Sequence, residues 1–287
     1  MTSEEKAFEV ESLSILRLIK DAQQKHGLRQ GNYLRYRGYC GRRLRRLRRS
    51  LKFTHMHKSV PKRSARFVHR PVTADVVNDQ RFLEILIFQT ERHWAYAMHL
   101  KLEIGDDLTD RRKFHMRQRL RRAAKSCTAL ANVARRCEIF GVSTKLEAQA
   151  YATFMKANLY VEFRQWEKAL TSLSTARKIY QRFSDIHQSD STNIYSTRCQ
   201  EIDNLIRLCS RISTGEHNAE ILVKANAADE EMLDLDFNKL SVARAPEKKE
   251  SGVIAAVADG PVKLLEPMPS KPMFFDISRE YKNMIKS

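Results

Sequence analysis

The side chains best placed to do chemistry lie in one stretch, YRGYCGRRLRRLRRSLKF, at positions 36–53. Residues 35–52 hold eight arginines and a single lysine. Such a run suits a solvated helix face, a targeting signal or a surface for a polyanion. The strong choice of arginine narrows this. A nuclear signal or a calmodulin-type helix would accept lysine equally well. Arginine adds bidentate phosphate contacts, stacking on bases and weaker hydration. Tyr33, Tyr36 and Tyr39 interleave with the arginines. They are spaced either to stack on unpaired bases or, for Tyr33 and Tyr36, to enter a core. An arginine-rich helix is too wide for the deep, narrow groove of regular A-form RNA. It needs a bulge, an internal loop or a junction. Structured RNA is therefore the expected ligand class. DNA is less well matched, with no dimeric helix-turn-helix layout, and a membrane surface would want a bulkier apolar stripe.

No other constellation competes. The chain has no G-x-x-x-x-G-K-[ST], H-E-x-x-H or G-x-S-x-G motif, and no catalytic residue or cofactor is expected. His55 and His57 sit among many cations and read as solvated. Asp106 and Asp107 read as a helix-end loop. Cys40, Cys127, Cys137, Cys199 and Cys209 are odd in number and form no C-x-x-C pair, so neither a disulfide framework nor a zinc module is indicated.

The arginines need a scaffold, and helical periodicity supplies one. Residues 5–26 place Leu13, Leu16, Ile19 and Lys20 at helical spacing, and Gly27 stops that helix. Asn32 can cap the next helix, at about 32–53. On a helical wheel Tyr33, Tyr36, Cys40, Leu44, Leu47 and Leu51 form a narrow apolar stripe, with the paired arginines on the flanks and back. Gly38 and Gly41 weaken this helix and mark a bend or a close approach. Residues 54–72 lack periodicity and read as a mobile basic loop. Helical patterns resume over Thr73–Leu102, Arg111–Phe140 (ended by Gly141), Thr144–Phe163, Trp166–Phe183 and Ser191–Ile212. The expected fold is all-α, an antiparallel helical-repeat domain of tetratricopeptide type over 1–214. One repeat is recognisable: Ala157 and Tyr160 on one helix, Ala169, Leu173 and Ala176 on the next, with Gln181 where proline is usual.

Charge divides the 287-residue chain at the same place. Residues 1–215 carry a net +21 and residues 216–287 a net −3. Between Ala22 and Ala74 there are 16 basic residues and no acidic one. The segment 215–287 reads as linker and a largely extended tail, interrupted by Pro261, Pro267, Pro269 and Pro272. Phe274 and Phe275 in that tail suit a docking peptide, or fold back on the body. The acidic N-terminus is unlike a signal peptide, and no apolar run is long enough to span a bilayer. A soluble protein of a reducing compartment is expected.

HGLRQGNYLRYRGYCGRRLRRLRRSLKF resembles the N-terminal RNA-binding domain of the sixty-eight-kilodalton subunit family of eukaryotic signal recognition particle. The similarity continues through ERHWAYAMHLK, RRKFHMRQRLRRAAK, KLEAQAYATFMKANLYVEFRQWEKAL and ARKIYQRF, covering roughly residues 8–212. ILVKANAADE and PSKPMFFDIS resemble the family's C-terminal region, while its long helical middle is skipped. The resemblance implies a non-catalytic subunit that binds the S-domain junction of the particle RNA (7S RNA) and reshapes an internal loop. It implies RNA contacts by Arg35, Tyr36, Arg37, Arg42, Arg43, Arg45, Arg46, Arg48, Arg49 and Lys52. It implies further contacts by Arg111, Arg112, Lys113, Arg117, Arg121 and Arg122. Pro272, Phe274 and Phe275 match the stretch that docks the seventy-two-kilodalton partner subunit. Ribosome and particle receptor would be indirect partners. The implied setting is a cytoplasmic ribonucleoprotein with a nucleolar assembly phase, serving cotranslational protein targeting to the endoplasmic reticulum membrane without inserting into it. The alternative is a helical-repeat interaction adaptor with a generic polyanion-binding patch.

Overall fold

A computed structural model describes residues 13–60, 63–105, 110–187 and 193–212. Seven helices dominate it: α1 (Ile15–Lys25), α2 (Tyr33–Ser50), α3 (Arg81–Ile104), α4 (Arg112–Arg136), α5 (Val142–Glu162), α6 (Trp166–Ile186) and α7 (Ile194–Ile212). From α2 onward each helix packs on its sequence neighbours, the pattern of a helical solenoid. The all-helical expectation holds, and so does the one legible repeat. Ala157, Ala169, Leu173 and Ala176 are fully buried where α5 and α6 cross. Small residues there let the two backbones approach, while Leu170, Ile179 and Phe183 fill the space toward α7.

One core runs through α1 to α5 and gathers Tyr36, Leu47, Phe53, Phe88 and Tyr151. A second joins α5, α6 and α7. A small third one, around Ala97, Leu100, Ile104, Met116 and Leu120, closes the α3–α4 turn. All five cysteines are free and buried within these cores.

Helix α1 works as a strap across the solenoid, touching α5 and α7. Its first backbone N–H groups have no partner within the helix. Ile15 N and Leu16 N donate instead to the Glu147 carboxyl of α5, both at 2.8 Å. Leu13 N donates to Thr144 Oγ1 at 3.0 Å. Farther along, Lys20 of α1 pairs with Glu201 of α7 at 2.6 Å. Leu16 meanwhile joins the second core.

Several boundaries differ from the sequence expectations. Residues 1–12 lie outside the described ones, and α1 begins at Ile15. Helix α3 begins at Arg81; Ala74–Val76 is a separate 3-10 turn after extended Thr73. Helix α4 stops at Arg136, where Cys137 turns extended, and Gly141 precedes α5 rather than ending α4. The basic segment 54–72 is no structureless loop. It carries an antiparallel hairpin, β1 (Met56–Val60) with β2 (Arg63–Val68), irregular between Lys58 and Val60. Its ladder sets Lys58 opposite Arg66 and His57 opposite Phe67. No alternation of polarity announces such a ladder, because backbone pairing holds it.

Gly27 behaves as expected. It has φ +114°, a conformation other residues resist, and a Cβ there would lie 3.0 Å from the Asn32 carbonyl oxygen. Gly38 and Gly41 do not bend α2, which runs unbroken through them. A Cβ at Gly41 would meet nothing within 4 Å.

Gly41→Ala is expected to raise stability by up to ~1 kcal/mol, the helix-interior difference between the two residues. Gly27→Ala is expected to lower it by about 1–2 kcal/mol through left-handed strain. Thermal melting of the two variants checks both signs. Burial pushes the Glu147 carboxyl up to about 7, against the downward pull of the Leu16 and Ile15 N–H groups and the Tyr195 and Ser14 hydroxyls. The native state therefore holds this proton more tightly than the unfolded chain. That stabilisation is complete below about 4.5 and lost as pH rises through about 7, a total of roughly 3 kcal/mol. The melting-temperature advantage of wild type over Glu147→Gln should accordingly shrink between pH 5 and pH 8. An advantage that grows over that interval would refute the assignment.

Candidate nucleic-acid interface

The orientation of α2 is set before any arginine is considered. Asn32 Oδ1 accepts from Arg35 N at 2.8 Å and caps the helix. Tyr36, Cys40, Leu44 and Leu47 are buried, as the wheel requires. Beneath them, two carboxyl groups of α3 seven residues apart hold the helix in register. The Tyr36 hydroxyl donates to Glu91 at 2.8 Å. Glu91 also accepts from Tyr151 of α5 and from Gln23 of α1. Arg43, on one shoulder of α2, pairs with Glu84 at 2.7 Å.

The far side of α2 is then left to solvent. Arg35, Arg42, Arg45, Arg46, Arg49 and Lys52 are all exposed. At 100° per residue the five arginines span an arc of about 100° opposite the buried stripe, and Lys52 follows just past the end of the helix. Among the described residues none of the six makes an ion pair. Six cations without local carboxylates form a strongly positive ridge. Gly38 lies within that arc, beside the Arg42 guanidinium, and Gly41 just outside it.

Two residues expected at the interface sit elsewhere. Tyr36 is 0% exposed and bound to Glu91, so its ring is a core element and not a stacking platform. Arg48 is 8% exposed. It falls on the shoulder next to the stripe, and its guanidinium turns inward to the Phe53 carbonyl at 3.3 Å and the Arg70 carbonyl at 3.5 Å. The Phe53 ring receives both the Arg48 and Arg70 guanidinium groups and packs edge-on against Phe82. Arg48 thus fastens the ends of the hairpin to α2. Tyr33 packs edge-on against Trp94, and Tyr39 stacks on His26 at 3.5 Å between centroids.

The basic half of α4 divides between two faces. Arg117 and Arg121 both lie over the Phe163 ring, at 5.3 and 4.6 Å, on the α5 side. Arg112 is taken up by Asp110, at 2.6 Å, and by Glu103. Arg111 and Arg122 are exposed and Lys113 half-buried. Arg112, Arg117 and Arg121 are thus engaged on Asp110, Glu103 and Phe163.

What joins α2 to α4 is a group that periodicity did not single out. Arg37 of α2 and Arg119 of α4 both lie over Tyr96 of α3, at 3.7 and 4.6 Å from its centroid. Arg92, one turn before Tyr96, is exposed beside them. Under this group His93 is buried, its pKa driven down to about 4 by burial and then by Arg92, Arg119 and Arg122. Arginine at 92 and 119 was visible in the sequence. Its relation to α2 was not. Among the described residues there is no cluster of His, Cys, Asp and Glu fit for a metal, and no helix long and apolar enough to cross a membrane. Pro272, Phe274 and Phe275 lie outside the described residues.

Tyr36→Phe and Arg48→Met should each lower stability by about 1–3 kcal/mol, because each strands a buried acceptor. Arg45→Ala with Arg49→Ala should leave the melting temperature within a degree or two, since surface changes stay within about 0.5 kcal/mol each. Calorimetry of the three variants tests the division into inner and outer arginines.

Comparison with known proteins agrees with this architecture. The family model described as RNA-binding signal recognition particle 68 matches residues 28–254. "Signal recognition particle subunit SRP68" of Caenorhabditis elegans is 40% identical over 200 residues, covering 69% of this chain and 32% of that protein. Its Drosophila melanogaster counterpart is 37% identical over 215 residues, covering 73% and 34%. The chain spans about a third of the length of these relatives. The solved "Structure of the SRP68-RBD from Chaetomium thermophilum" superposes with a TM-score of 0.59 at 21% identity, covering 71% of this chain and 100% of that one, which supports the fold. With a family model over most of its length and relatives this similar, the chain belongs to the SRP68 family of signal recognition particle subunits.

Proposed function

We propose that this chain is a non-catalytic RNA-binding subunit of the signal recognition particle, and that the outer arc of α2 is its RNA surface. The observation that carries this reading is the set of five exposed arginines on a helix whose opposite side is locked into the core, with exposed Lys52 just past its end. A ridge held this rigidly presents guanidinium groups at fixed spacing, which suits a shaped target better than a flexible tail would. The width of α2 favours a widened groove, so the target is the S-domain junction of the particle RNA, with its internal loop reshaped around the helix. The exposed hairpin residues Phe67 and Val68, close to the C-terminal end of that ridge, offer apolar contact to unstacked bases.

The remaining roles follow from membership in the particle. RNA bound and shaped here would support cotranslational targeting to the endoplasmic reticulum, with ribosome and receptor as indirect partners. Assembly would pass through the nucleolus before work in the cytoplasm. Pro272, Phe274 and Phe275 would dock the seventy-two-kilodalton subunit. The α4 residues Arg111, Lys113, Arg117, Arg121 and Arg122 would add phosphate contacts at the periphery, and Arg112 less so because of its carboxylate partners.

Binding of the chain to S-domain junction RNA, beside a plain duplex of equal length and across a salt series, tests this reading. Six phosphates neutralised by the ridge give a slope of log K against log salt of roughly −4 to −5. Arg45→Ala with Arg49→Ala should weaken junction binding by several kcal/mol, at about 1.5–3 kcal/mol for each charge-assisted contact. Equal, salt-labile binding to both RNAs would instead make the ridge a generic polyanion patch and favour an adaptor role.

A further inference from the structure

Two guanidinium groups from different helices lie over one aromatic ring, and a third arginine stands beside them. Arg37 of α2 and Arg119 of α4 both lie over Tyr96. Arg92 shares the Tyr96 face of α3, being four residues before it. Although much of the Arg92 side chain is exposed, partial burial, then Arg37 and Arg119, and more weakly Arg45, hold its pKa below the ordinary arginine value.

Neighbouring arginines behave differently. Arg43 has Glu84, and Arg112 has Asp110 and Glu103. Among the described residues, Arg37, Arg92 and Arg119 have no carboxylate within ion-pair distance. Glu91 adjoins Arg92 in sequence but is turned into the core, where Tyr36, Tyr151 and Gln23 occupy it. The nearest titratable group below, His93, is neutral at physiological pH. Like charges gathered without a counter-charge repel one another, and the face of the Tyr96 ring offsets only part of that. Two arginines over the ring and Arg92 beside them, from three helices, leave a focus of positive potential open to solvent.

We propose that Arg37, Arg92 and Arg119 form a single anion site across α2, α3 and α4, which takes a phosphodiester group of an RNA strand leaving the outer arc of α2 toward α4. This rests on the RNA-binding function proposed above and adds a direction to it. The strand crosses the solenoid at Tyr96 and does not end at α2. Arg122, one turn beyond Arg119 and exposed, continues the path. The Tyr96 ring positions two of the guanidinium groups and does not itself contact the phosphate.

The test uses the whole chain with S-domain junction RNA over a salt series, comparing wild type, Arg92→Gln, Arg119→Gln, the double variant, Arg119→Lys and the α2 variant Arg45→Ala with Arg49→Ala. Each single glutamine change should weaken binding about tenfold, one charge-assisted contact's worth. The double change should lose less than the product of the two and flatten the salt slope by about 0.7–0.9, one phosphate. Arg119→Lys should keep the slope. In the absence of RNA, at low salt, both glutamine variants should melt higher than wild type, because repulsion is relieved. Unchanged affinity and slope in the double variant, with the α2 variant still weakened, would overturn the site while leaving the α2 surface in place. A weakened affinity accompanied by a lower melting temperature would also overturn it, since the arginines would then be acting through the fold. Wild type that fails to prefer the junction RNA would remove the RNA-binding function and the site together.

Discussion

The whole arrangement turns on one buried carboxyl group. Glu91 of α3 is 0% exposed and accepts hydrogen bonds from Gln23 of α1, Tyr36 of α2 and Tyr151 of α5. A carboxyl group taken out of water is costly unless its acceptors are satisfied, and here three other helices must each deliver a donor to the same point. Displacing any of them strands the group. The rotation of α2 about its own axis is fixed by this requirement together with the Glu84–Arg43 pair. A rotation of one residue, about 100°, would carry the exposed arginines partly into the core.

Three acidic residues are placed inside the fold. Glu84, Glu91 and Glu147 hold helices together from within. None of the three lies on the outer arc of α2. Along α2 the nearest counter-charges, Glu84 and Glu91, thus lie on the inner side and the exposed arginines on the outer one. The cost is mutual repulsion over the ridge and around Tyr96, which a polyanion would relieve. The strap α1 and the second core have a different part. By tying α1 to α5 and α7 they stiffen the platform behind α2, so that the ridge keeps its spacing.

Arg48 and Tyr36 show how narrow the margin is between a surface and a core residue. Arg48 and Arg49 are adjacent and chemically identical, yet one is buried against the Phe53 and Arg70 carbonyls and the other is exposed. One step of 100° around the helix separates the two. The hairpin β1–β2 makes the same point for a whole segment. Its end residues are fastened by Arg48 and by the Arg70 N–H donating to His55, contacts made across the chain rather than within the segment.

The sequence by itself determined the helices, the cap at Asn32, the stop at Gly27, the small-residue crossing of α5 and α6, and the apolar stripe that turns most of the arginines outward. All of these are local: they follow from periodicity, from backbone preferences and from side chains within a turn or two of one another. Only the tertiary structure decided which arginine is buried, that the segment 54–72 carries a hairpin, that Glu84, Glu91 and Glu147 are the internal fasteners, and that Arg37 and Arg119 share one ring beside Arg92. Those outcomes depend on which helices become neighbours. A long polar side chain has no fate written in its own segment, because its partner is supplied by another element brought to it by the fold.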